Sequence, residues 1–214
     1  MRVLIDRNIE RNAVTHQSVE TPRTVRWGDM DVTVNVLERQ YFPPRDDERR
    51  RIAELSYLAT IGAAARAGKL QLYSSFELAM ERARQRGKDP GYVGRSLLEG
   101  VAITRVPLPA HRSVVFGDPG RDPGRTRDEQ IVFFKRVRDS RFLKLRAAVG
   151  EAHIADVFHF WTAESAGLDA FLTMDFAFLN AARGQEAISA SRVTLAAPSD
   201  LCALIGEGPA DTIA

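Results

Sequence analysis

The chain of 214 residues carries a single cysteine, Cys202. One thiol excludes an internal disulfide framework and any zinc site built on cysteines. Its apolar neighbours predict a buried thiol rather than a nucleophile. Histidine is sparse as well: His16, His111, His153 and His159 are scattered, with no pair at the i, i+4 spacing of a helical zinc site. No apolar run approaches the roughly 20 residues needed to cross a bilayer, so no membrane span is expected. The opening residues reach Asp6 after three apolar ones, short of the roughly 7–15-residue apolar stretch of a secretory signal. Cytoplasmic residence is the resulting expectation. An excess of one charge is also missing, since 30 basic residues face 28 acidic ones for a net +2.

What is present is the balance of a soluble globular protein, with 44% apolar and 27% charged residues. The length suits one large domain, expected over residues 1–214. Charge is unevenly spread. From Arg121 to Arg146 nine Arg or Lys stand against four Asp or Glu. That stretch reads either as a solvated helix face or as a phosphate-contacting surface, with Arg121, Arg125, Arg127, Lys135 and Arg138 as the candidate contacts.

Short apolar runs alternate with helix-patterned stretches, which predicts an α/β fold with a mainly parallel sheet of about five strands flanked by helices. The candidate strands are Arg2–Ile5 and residues 70–73, 101–106, 169–173 and 192–196. Asp46, Asp47 and Glu48 precede an apolar stripe at Ile52, Leu55, Leu58, Ile61 and Ala65, a helix expected to stop near Gly68. Ser74 and Glu77 have the spacing of a capping box, as do Thr126 and Glu129. The first box opens a helix toward Gly87, and the second opens one that breaks near Asp139. A further helix over 151–166 is closed by Gly167. Two stretches fall outside this alternation. Val25, Trp27, Met30, Val32, Val34 and Val36 alternate about Gly28-Asp29, which predicts a β-hairpin inserted after the first strand, within about 10–45. Residues 117–125 repeat Asp-Pro-Gly-Arg and predict an exposed basic loop.

In an open parallel sheet the functional crevice lies outside the carboxyl ends of the strands. There the sequence delivers acids: Asp6 after Val3-Leu4-Ile5, and Asp175 after Ala170-Phe171-Leu172-Thr173-Met174. Each is either a cap carboxylate or a cation ligand, because an unpaired carboxylate near a core is costly. Asp156 lies in an otherwise apolar helix, where its side chain needs a specific partner.

These segments resemble the PIN-domain nucleases, a class of toxin-type and RNA-processing endoribonucleases. Val3-Leu4-Ile5-Asp6-Arg7-Asn8 is similar to the family's strand-Asp-x-Asn opening, Asp156-Val157-Phe158-His159 to its Asp-x-x-His helix, and Phe171-Leu172-Thr173-Met174-Asp175 to its strand closing in Thr-x-Asp. Val193-Thr194-Leu195 and Pro198-Ser199-Asp200-Leu201 resemble its final strand and terminal segment. The resemblance implies a catalytic and metal-binding set of Asp6, Glu81, Asp156 and Asp175, with Asn8 and Thr173 in support. Glu77, four residues before Glu81, is held in reserve. Glu81 has a plainer alternative in an ion pair with Arg82, Arg84 or Arg86. His159 is expected to make a core hydrogen bond, and Trp27 and Trp161 to pack, unless Trp27 stacks on an unpaired base.

Several carboxylates without cysteine offer hard oxygen ligands, which suit Mg²⁺ or Mn²⁺. The activity implied is metal-dependent hydrolysis of RNA leaving a 5′-phosphate and a 3′-hydroxyl. The expected partners are an RNA substrate, an antitoxin-like protein and a second copy of the chain, with no membrane. Two other readings remain open: a PIN-like RNA- or protein-binding module that does not cleave, and an unrelated α/β phosphohydrolase. The second usually pairs the first strand's Asp with a nearby Asp, where this chain has Asn8.

Overall fold

Successive side chains of a strand point to opposite faces, and the first strand uses that rule to serve two cores. Val3 and Ile5 enter one apolar cluster and Leu4 the other. A computed structural model describes residues 1–41, 49–85, 96–112 and 127–211. Its strands are β1 (Arg2–Ile5), β2 (His16–Trp27), β3 (Met30–Tyr41), β4 (Gln71–Ser75), β5 (Ile103–Val106), β6 (Ala170–Leu172) and β7 (Thr194–Ala196). Five of them form one sheet in the order β5-β4-β1-β6-β7, with every ladder parallel. The helices are α1 (Arg7–Asn12), α2 (Arg49–Arg66), α3 (Phe76–Gln85), α4 (Arg127–Arg136), α5 (Ser140–Val149), α6 (Ile154–Ser165), α7 (Phe176–Ala182), α8 (Glu186–Ser189) and α9 (Pro198–Leu204). The described chain is therefore α/β, with a mainly parallel five-stranded sheet flanked by helices.

β6 splits its side chains as β1 does. Phe171 joins the cluster of Phe134, Phe142, Phe158 and Phe178, whereas Ala170 and Leu172 join Leu55, Leu58, Ile61 and Leu201. So α4–α7 cover one face of the sheet and α1, α2 and α9 the other. Trp161 packs in the first cluster, and Cys202 is buried in the second, where burial pushes its thiol up to about 11. Asp139 ends the break before α5 by accepting the Arg141 and Phe142 amides, each at 2.9 Å. Gly167 closes α6 at φ 62°, a conformation costly to residues with a Cβ.

A short helix follows β1 at once, with Asp6 capping α1, and the ribbon of β2 and β3 then falls within the expected stretch of about 10–45. A run of six residues with mixed charge carries too little periodicity to show such a helix. Two expectations need correction. Ser74 is not the cap of α3. It stays in β4, and the Oγ of Ser75 takes the Leu78 amide at 3.4 Å. Trp27 does not pack in a core. It is 77% exposed, because β2 and β3 form a separate ribbon. Thr126, Gly87 and the repeated Asp-Pro-Gly-Arg segment lie outside the described residues.

The ribbon turns at Gly28 (φ 63°) and Asp29, a glycine-first two-residue turn, and pairs Trp27 with Met30, Val25 with Val32 and Arg23 with Val34. Those residues share one face, which stays open to solvent. Since Trp27 buries little, Trp27→Ser is expected to move the melting temperature by less than about 2 °C, checked by thermal denaturation.

Candidate active site

β1 and β6 are adjacent and parallel, with Ile5 opposite Leu172. The residues that follow them therefore meet at one edge of the sheet. Asp6 donates its amide to the Leu172 carbonyl at 2.9 Å. Its carboxylate accepts three hydrogen bonds: the Arg7 amide on Oδ1 at 2.6 Å, and Asn8 Nδ2 (2.5 Å) and Thr173 Oγ1 (2.7 Å) on Oδ2. Asn8 accepts the Met174 amide at 2.9 Å, and Thr173 Oγ1 accepts the Asp175 amide at 3.0 Å. Asn8 and Thr173 thus tie the two strand ends together. Asp175 caps α7, its Oδ1 taking the Phe178 amide at 2.9 Å.

The other two acids come from helices. Asp156 and His159, three apart on α6, share a face. His159 is buried, and its Nε2 lies 3.0 Å from Glu81 Oε1 on α3. Its Nδ1 is buried without a hydrogen bond. Burial opposes a charge on this ring, yet Glu81, Asp6 and Asp156 hold its proton and raise its pKa to about 9. The ion-pair contact of Asp156 is with His153 Nδ1, at 3.8 Å. Burial pushes its carboxyl up to about 7, helped by the charges of Asp6, Asp175 and Glu81 and opposed by His159. Burial also raises Asp6 to about 6, moderated by His159 and by the hydroxyl of Thr173. Asp6, Glu81 and Asp175 thus act on the Asp156 carboxyl, and Glu81, Asp6 and Asp156 act on the His159 ring.

Glu77 is not among them. It is fully buried and takes Arg112 on Oε1 and Gln130 Nε2 on Oε2, the latter at 2.8 Å. Its alternative duty as partner of Ser74 is also overturned, because the carboxylate turns away from the helix start. Arg82 reaches Glu10 at 3.5 Å, which Arg7 also meets at 3.4 Å. Of the proposed RNA contacts, Arg121 and Arg125 lie outside the described residues. Arg127, Lys135 and Arg138 are exposed, and Arg138 donates to the Lys135 carbonyl at 2.9 Å. Arg141 and Arg146, in the same basic stretch, are matched by Glu164 and Glu151. Sequence reasoning missed Glu10, Arg112, Gln130 and Arg50. Only Glu10 had a local signal, one helical turn after Asp6.

The acceptor positions left on these acids decide whether a hard divalent cation fits. Each carboxylate oxygen has two acceptor positions, so Asp6 has Oδ2 filled and one position left on Oδ1. Among the described residues Asp175 keeps Oδ2 clear of hydrogen bonds, and Asp156 keeps both oxygens. Among the described residues no three His, Cys, Asp or Glu side chains form a closed set of direct metal ligands. Mg²⁺ commonly keeps several waters and binds through one or two carboxylates. A cation at these residues would therefore have to be held partly through water. No family model matches the chain, and no match was found among curated proteins or solved structures.

Proposed function

We propose that the chain is a divalent-metal-dependent endoribonuclease of the PIN class, with the ribbon of β2 and β3 as its insertion. The observation that supports this reading is the placing of Asp6 and Asp175 at the adjacent carboxyl ends of β1 and β6, joined through Asn8 and Thr173, with Glu81 bonded to His159 one helical turn from Asp156. Such a group attracts cations and repels a bare phosphodiester. Asp6, Asp156 and Asp175 would hold Mg²⁺ or Mn²⁺, directly or through water, and Glu81 would complete the set. The metal would supply activation of a water and neutralisation of charge on the leaving oxygen. Asn8 and Thr173 fix the rotamer of Asp6, and His159 holds Glu81 in place by its Nε2 bond.

The test is cleavage of single-stranded RNA by the purified chain in Mn²⁺ or Mg²⁺. Products with 5′-phosphate ends are expected, with loss of cleavage in chelator and in Asp175→Asn. Metal-dependent cleavage that survives Asp175→Asn would overturn the site. The absence of a closed ligand set among the described residues favours a second reading, a module that binds RNA or protein without cutting. Calorimetric titration with Mn²⁺ separates the two, since only the nuclease needs the cation to bind.

A further inference from the structure

We propose that Arg50 grips a phosphate of the nucleic-acid strand beside the acidic group, and that the groove along the free edge of β7 receives the adjoining nucleotide. This inference rests on the ribonuclease reading. The guanidinium of Arg50, in the first turn of α2, lies 4.1 Å from the centre of the Phe176 ring, and Phe176 directly follows Asp175. A guanidinium stacked on a ring keeps its N–H donors in the plane of the fork, the geometry that matches a phosphate. Arginines elsewhere around the acids face carboxylates: Arg7 and Arg82 meet Glu10, and Arg112 meets Glu77. α2 opens with Arg49, Arg50 and Arg51 and has no acid in its first turn. Cations there oppose the helix dipole, a cost comparable to what the Phe176 contact returns at this exposed position.

Arg50 also lines a groove of about 660 Å³ with Arg183, Ser189, Ser191, Thr194 and Asp200, set among apolar side chains of α7, β7 and α9. β7 is an edge of the five-stranded sheet, and the groove lies beside it. Its volume falls in the roughly 300–1,000 Å³ range of small-ligand sites. Two arginines and three hydroxyls stand against one carboxylate, and Asp200 is already engaged by the Ala197 amide at 3.1 Å. That lining suits a phosphate and a ribose, with apolar walls for a base. A strand held at Arg50 runs from the acidic group into this groove.

Binding of labelled single-stranded oligouridine is followed by fluorescence anisotropy in chelator over a range of salt, and cleavage kinetics are measured in Mn²⁺. Arg50→Gln is expected to weaken binding about tenfold and to lower the slope of log K against log salt by about 0.7, the value of one lost phosphate contact on a single strand. In Mn²⁺ its effect falls on KM more than on kcat. Arg50→Lys keeps the slope but loses affinity, because charge remains without the fork. Phe176→Leu, which frees the guanidinium, gives an intermediate loss. Wild-type affinity and slope in Arg50→Gln would overturn the grip, even where wild-type cleavage upholds the nuclease reading. Arg50-dependent binding by a chain that cuts no RNA in either metal would leave the grip standing and overturn the nuclease.

Discussion

Asp156→Asn is expected to raise the melting temperature of the metal-free protein at pH 7.5 by roughly 5–10 °C while reducing RNA cleavage to below about one per cent. The two effects have one cause. In the folded chain the Asp156 carboxyl is pushed to about 7 by burial and by three neighbouring carboxylates, against an unfolded value near 3.9. The folded state therefore keeps a proton that the unfolded chain releases across this window. Stability falls as pH rises from about 4 to about 7, and the accumulated cost is on the order of 2–4 kcal/mol at neutral pH. Asparagine carries no charge in either state and escapes that cost. The gain should shrink to roughly half a kcal/mol at about pH 4, where the wild-type carboxyl is neutral in the folded chain and about half ionised in the unfolded one. Mn²⁺ should reverse the order at pH 7.5, because it offsets the charge in the wild type and finds a poorer site in the variant. Thermal melts at both pH values, with chelator and with Mn²⁺, check the whole pattern. A lower melting temperature for the metal-free variant at pH 7.5 would show that Asp156 is compensated by some other group.

Asp6 and Asp156 rise to about 6 and about 7, both below the value near 9 that keeps His159 charged. Around neutral pH the carboxylates are shedding their protons while the imidazolium remains. Its own stabilising contribution is fully present below about 6.5 and is lost as pH passes through about 9. The acidic group therefore gains its negative charge as pH passes through about 6 to 7, well before His159 loses its proton.

How far the sequence foretold this arrangement follows the range over which each determinant acts. Asp6 and Asp175 were visible because each directly ends an apolar strand, and strand-to-edge placement is a local property. Asp156 stood out for lacking polar neighbours on its helix. The turn at Gly28-Asp29 and the stop at Gly167 were legible because a positive φ leaves a mark at one residue. Trp27 misled, since an aromatic in an alternating run looks the same whether its ribbon covers a core or stands apart. Glu81 and Glu77 share a face of one helix, and no local rule divides them. The division is made by groups remote in sequence: His159 claims Glu81, whereas Arg112 and Gln130 claim Glu77. Arg50 was missed for the same reason, because its ring partner belongs to α7.

Glu77→Ala should be among the most destabilising single substitutions in the chain, costing about 3–5 kcal/mol, or roughly 10 °C in melting temperature. The carboxylate is fully buried, the Arg112 side chain facing it is 7% exposed, and the Arg112 guanidinium also lies 5.0 Å from the centre of the Phe133 ring. Removing Glu77 leaves that cation in a low-dielectric setting without the charge opposite it, and deprives Gln130 of its 2.8 Å acceptor. Glu77→Gln restores a neutral acceptor but not the charge, so it should recover only part of the loss. Replacing both partners, as in Glu77→Met with Arg112→Met, removes both desolvation penalties, and that double variant should melt closer to wild type than either single one. The cycle also bears on the site. Glu77 precedes Glu81 by one helical turn and ties α3 to α4 through Gln130. Loosening that tie should disturb the Glu81–His159 contact and lower cleavage, although Glu77 itself lies outside the acidic group. Single variants that melt like wild type would mean that Arg112 finds another counter-charge, and the double variant would then be the less stable form.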